Sequence, residues 1–223
     1  MNFTKNDLEI NEELKKEKIL YAYLHESMNL PIIDVENPAF NLSSDELKNT
    51  EYKVKKPNII QKILFRFIGR KSILAKIISS SNSTYVSGIG TYMLKIGAEN
   101  LDKEYFNDID KSIASSLPCL SARLRLQECS YLIYESIEEL LRNNKRNLYL
   151  LNIAGGVAFD SINSLMIMKR KNPELLSQIK TKILVLDITD EGIDFAKKSI
   201  TVLSDNNQIF NDMDLKIEYR KYF

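Results

Sequence analysis

Apolar positions along this chain change rhythm near residue 147. Upstream they recur every third or fourth residue, the spacing of helices with one buried stripe, whereas downstream short apolar runs alternate with helical stretches. Ile10, Leu14, Tyr21 and Leu24 fall on one face and predict an amphipathic helix over about residues 5 to 27. Pro31, Pro38 and Pro57, with Asn-Pro and Ser-Ser steps between them, predict a long irregular connection. Residues 59 to 79 read as a basic amphipathic helix, or two parted at Gly69. It buries Ile, Leu and Phe in a bundle and leaves its lysines in water, with attachment to a membrane surface as the alternative. The stretch from Tyr85 to Lys95 admits two readings, a loop folded over a ligand or a helix start with its tyrosines packed on the core.

Residues 101 to 116 read as helical. Ser116, ahead of Leu117 and Pro118, is a hydroxyl cap with proline in the first turn, and opens a long helix to about Asn143. Along it Leu120, Leu124, Tyr131, Tyr134, Ile137 and Leu141 repeat at helical spacing. From Leu148 the pattern becomes strand, helix, strand, helix, strand. The strands are predicted at 148–153, 182–187 and about 215–222, and the helices at about 161–171, capped by Asp160, and 191–203. Pro173 ends the first of these helices, and a further turn covers 174–179. The run from Lys182 to Asp187 is apolar on both faces, as suits the interior of a parallel sheet. Right-handed crossovers follow from this alternation. The expected class is α/β: a helical N-terminal region, residues 1–145, then the first half of a Rossmann-like parallel sheet, residues 146–223. No internal repeat is found.

With 223 residues, 44% of them hydrophobic, the chain can build a real core. Lys plus Arg total 31 against 30 Asp plus Glu, so no global field attracts nucleic acid. Cys119 and Cys129 lie on one predicted helix, pointing different ways, and read as reduced thiols. The N-terminus lacks a signal-peptide core, and no apolar run approaches the roughly 18 residues that span a bilayer. A soluble, cytoplasmic protein is expected. One histidine, His25, and two distant cysteines make a zinc site improbable.

Chemistry concentrates at residues 148–161, Leu-Tyr-Leu-Leu-Asn-Ile-Ala-Gly-Gly-Val-Ala-Phe-Asp-Ser: a buried strand, a turn of small residues and a helix start. Small side chains there let backbone N–H groups approach a ligand. A dinucleotide fingerprint starting at Ala154 needs its third glycine at position 159, which is Phe159, so a nicotinamide-dependent oxidoreductase is disfavoured. The spacing small-x-small-x-small fits Ala154, Gly156 and Ala158. The segment resembles the first motif of the class I S-adenosylmethionine-dependent methyltransferases, in which an acid ending the strand precedes G-x-G-x-G. Here Asn152 stands in place of that acid, keeping a hydrogen-bond acceptor without its charge. The run from Leu186 to Ala196 resembles the family's second motif, an acid closing a strand followed by a short loop and a helix.

The resemblance implies S-adenosylmethionine as cofactor, held by Asn152, Ala154, Gly155, Gly156 and Ala158, with Asp187 accepting hydrogen bonds from both ribose hydroxyls and Ile188 against the adenine. It further implies Arg123 and Arg125 within reach of the cofactor's carboxylate, with Tyr85 and Tyr92 as further contacts to its methionine end. The alternative for Asp187 is a cap on the next helix, and for Arg123 and Arg125 solvation or pairing with acids such as Glu128. The expected acceptor is a small-molecule oxygen or nitrogen nucleophile. A complete domain of this family has about seven strands, so the expectation is a piece of a longer enzyme or a naturally short product, its sheet edge covered by a missing C-terminal half or a second copy. A non-catalytic scaffold with an incomplete Rossmann-like fold is the other reading.

Overall fold

Two sheets of different character organise the chain. The computed structural model describes residues 18–25, 28–42, 45, 47–48, 71–80, 86–143, 147–177 and 179–221. β1 (Tyr21–His25) and β2 (Met28–Pro31) form an antiparallel hairpin. Four helices follow among the described residues: α1 (Ile73–Ser80), α2 (Gly88–Met93), α3 (Asp108–Ala114) and the long α4 (Leu117–Arg142), with a 3-10 turn at Ala98–Asn100. Then β3 (Asn147–Ile153), α5 (Phe159–Lys171), the single turn α6 (Pro173–Leu176), β4 (Lys180–Asp187), α7 (Glu191–Ser204) and β5 (Asp214–Lys221) complete the described elements.

Over Tyr21–His25 the hairpin corrects the helix expected at residues 5 to 27. Along β1 Ala22 is buried while Tyr21 and Tyr23 face water, a period of two, and the strand lies against α7. Residues 5–17 of that segment, and 59–70 of the basic helix, lie outside the described residues; α1 supplies the rest of the latter. The chain after the hairpin is stitched to α5. Asn163 Oδ1 accepts from Val35 N–H at 2.9 Å and its Nδ2 donates to the Ile33 carbonyl at 3.0 Å. Arg170, on the same helix, pairs with Asp34 and Glu36. Ser116 does cap α4, with Pro118 in the first turn, but its hydroxyl makes no capping bond.

β3, β4 and β5 form a parallel sheet in that order, in a register that aligns Leu150 with Ile183 and Ile183 with Ile217. Both crossovers move the same way across the sheet, so right-handed connections put α5 and α7 on one face. That face carries buried Leu148, Ile183 and Val185. The opposite face of β3 does not: Tyr149, Leu151 and Ile153 are 73%, 58% and 69% exposed. Lys182, Leu184 and Leu186 of β4 share that side and are only half-buried, which corrects the expectation of a strand covered on both faces. One hydrophobic core runs from Ala22 and Leu30 through Tyr92, Leu126 and Ile162 to Ile183, Phe195 and Phe210. Among the described residues no helix is long and apolar enough to cross a membrane.

Candidate functional site

The tips of β3 and β4 are locked side by side, Ala154 N–H donating to the Leu186 carbonyl at 2.7 Å. Beyond them the chain turns through three left-handed residues, Ala154, Gly156 and Ala158, with φ of 52°, 52° and 53°. α5 starts at once, with Ala158 rather than Asp160 at its cap position. Small size at Gly156 has an internal cause. A Cβ there would sit 2.7 Å from the Gly88 Cα, and one on Gly192 would sit 3.0 Å from the Gly156 carbonyl carbon, so the first turns of α2 and α7 close on this backbone from either side.

Asp187, the last residue of β4, answers the turn. Its Oδ2 accepts the Gly156 N–H at 2.8 Å, while Oδ1 accepts the Ile188 N–H at 2.7 Å and the Thr189 N–H at 3.3 Å. Tyr219 braces the same tip, its hydroxyl donating to the Asp187 carbonyl at 3.0 Å. The carboxylate therefore joins both strand tips and orders the loop ahead of α7. Capping of α7 falls to Asp190, whose side chain makes no capping bond. A carboxylate has about four lone-pair directions, so Asp187 retains capacity for a further donor.

These groups open onto a cavity of about 690 Å³, walled by the 154–157 turn, Asp187, exposed Ile188, the outer edge of β3 and one face of α4. Asn152 also lines it, but its side chain turns inward to Ser161, donating to Oγ at 2.9 Å and tying β3 to α5. Gly155 borders the same space, its missing Cβ 2.4 Å from the Asn152 Cβ. Ala158 is fully buried behind the turn and does not line the cavity.

Of the residues expected near the cofactor's methionine end, Tyr92 and Arg123 are used otherwise, and Tyr85 lies outside the described residues. Tyr92 touches the cavity, yet its ring packs on Phe159 and Phe195 at centroid distances of 4.6 and 5.0 Å. Its hydroxyl donates to the Pro31 carbonyl at 2.6 Å and accepts the Ile33 N–H at 2.9 Å. Over the described residues 86–95 the segment is a helix start with Tyr92 packed on the core. Arg123 is buried away from the cavity, Nε donating to the Phe40 carbonyl at 2.7 Å and Nη1 pairing with Glu99 at 2.6 Å. Two positions along α4, about 200° around the helix, Arg125 lines the cavity instead.

Sequence reasoning missed Lys95, which also lines the cavity. Burial, and then the neighbouring Arg125, hold its ammonium below the usual lysine range, while Asp160 and Cys129 act in the opposite direction. The signal was the face shared by Arg125, Cys129 and Ile133 at helical spacing. Both cysteines are free thiols. Among the described residues no group of His, Cys, Asp and Glu side chains is arranged to hold a metal ion.

Comparison with family models, with curated proteins and with solved structures gives no match.

Proposed function

We propose that the joined tips of β3 and β4 bind the adenosyl part of S-adenosylmethionine, and that the chain carries the cofactor site of a small-molecule methyltransferase on a Rossmann-like parallel sheet. The observation that carries the reading is Asp187: a carboxylate at the carboxyl end of a parallel strand, held in place by a turn N–H and facing a cavity. That is where open α/β sheets bind nucleotides, and with three of its about four lone-pair directions taken by backbone N–H groups Asp187 can accept from one ribose hydroxyl. Ile188, exposed beside it, offers an apolar surface to the adenine, and the backbone of Ala154 to Gly156 admits the tail without a side chain in the way.

When bound, the cofactor supplies an electrophilic methyl group, so this chain's task is alignment and exclusion of water rather than nucleophilic attack. Calorimetric titration with S-adenosylmethionine, S-adenosylhomocysteine and NAD tests the reading. The first two bind and NAD does not. Asp187→Ala weakens binding by about 1 to 3 kcal/mol, the range for hydrogen bonds to a charged group. Unchanged affinity in a variant with an intact thermal midpoint would remove Asp187 from the site.

One observation favours the scaffold reading: Gly88 and Gly192 pack on Gly156, so small residues there already serve the fold. Binding of none of the three nucleotides would leave that role as the whole of their use.

A further inference from the structure

The cavity is longer than the strand tips. Leu150 to Ala154 line it in succession, so it follows the outer edge of β3, unpaired among the described residues, for about 13 Å, at ~3.3 Å per residue, with Arg125, Cys129 and Ile133 of α4 opposite. This arm contains both cations of the lining, Lys95 and Arg125. Neither side chain makes an ion pair or a hydrogen bond with another described residue. The two carboxylates of the lining are already engaged by backbone, Asp160 by the Ser161 N–H at 2.8 Å and Asp187 by the Gly156 N–H. Lys95 is half-buried and Arg125 exposed at the same cavity, and among the described residues no acid lies at bonding distance of either, so the positive charge of Arg125 disfavours that of Lys95. An anion between them reverses that. The two cations and two carboxylates of the cavity balance, Asp160 being the acid that acts on Lys95, and Leu126 and Ile133 make the adjoining wall apolar.

We propose that this arm binds a second small molecule, an acid with an apolar body, whose carboxylate lies between Lys95 and Arg125. As the identity of a methyl acceptor the inference rests on the methyltransferase reading; as a binding site it does not. The charge-assisted pair, with the guanidinium offering two parallel donors, is the geometry that selects carboxylates.

The probe is 3-phenylpropionate, with 3-phenylpropan-1-ol as the neutral control at equal ionic strength. Lysine side chains are followed by carbon-13 NMR in the whole chain, Lys95 being assigned by its loss in Lys95→Met. The acid shifts the Lys95 signal saturably and raises its titration midpoint, the alcohol does neither, and Arg125→Gln weakens the acid about tenfold or more. Prior saturation with S-adenosylmethionine leaves the acid's affinity unchanged. Equal effects of acid and alcohol, or an affinity indifferent to Arg125→Gln, would overturn the site. Competition by S-adenosylmethionine would overturn the second molecule, showing that the cofactor's own carboxylate occupies the arm. A chain that binds the acid and no S-adenosylmethionine keeps the site and loses the methyltransferase.

Discussion

Ala154 and Ala158 adopt the left-handed conformation, where an L side chain costs about 1 to 2 kcal/mol, and they flank the one glycine in the turn that does so freely. Such strain gathers where a backbone path is dictated from outside the turn, here by Gly88 and Gly192 pressing on Gly156. Ala154 is exposed, so replacing it removes little packing. Ala154→Gly should therefore raise stability in urea denaturation by about 0.5 to 1 kcal/mol, the relief of strain less the added freedom of the unfolded chain. Ala154→Val, β-branched, should lower it. The sequence showed that this turn is built of small residues. It did not show that part of the smallness is for other backbone rather than for a ligand, because Gly88 and Gly192 are remote in the chain.

At the scale of elements, Tyr92 joins α2 to the segment leaving β2. Tyr92→Phe leaves the buried Pro31 carbonyl and Ile33 N–H without a partner and should cost about 1 to 3 kcal/mol by chemical denaturation. Burial pushes the Tyr92 phenol well above its ordinary 10.0, with the Ile33 hydrogen bond pulling the other way. A folded value above the unfolded one means that its contribution is complete below about pH 10 and is lost as pH rises further. The wild type should thus lose stability above that pH more steeply than Tyr92→Phe, measured as the denaturation midpoint against pH. The hairpin was illegible for a related reason. Tyr21 and Leu24 satisfy a helical period, but Ala22 and Leu24 also satisfy an alternation. Pairing with β2 and packing on α7, neither local, selects the strand.

For the whole molecule, the decisive asymmetry is between the faces of the parallel sheet. Ile183 is fully buried under the α5 and α7 layer, and Ile183→Ala should cost about 2 to 5 kcal/mol. Leu151 belongs to the same sheet but is mostly in water, so Leu151→Ala should cost under about 1 kcal/mol. Paired denaturation curves check the contrast, and equal losses would mean that the exposed face is covered in solution. From sequence the strands looked alike, since Leu148, Leu151, Ile183 and Leu184 are all apolar.

What neighbours within a few residues impose was readable from the chain: three strands alternating with helices, the long helix opened by Pro118, the small-residue turn and the acid that ends β4. Period, proline and glycine act locally, and local rules suffice for them. Which apolar face is buried, which of Arg123 and Arg125 meets the cavity, and what the hydroxyl of Tyr92 bonds to depend on groups brought together from distant parts of the chain. Asp187 belongs to both kinds: its place at a strand end was legible, but its bond to Gly156 exists because parallel pairing sets the two tips side by side.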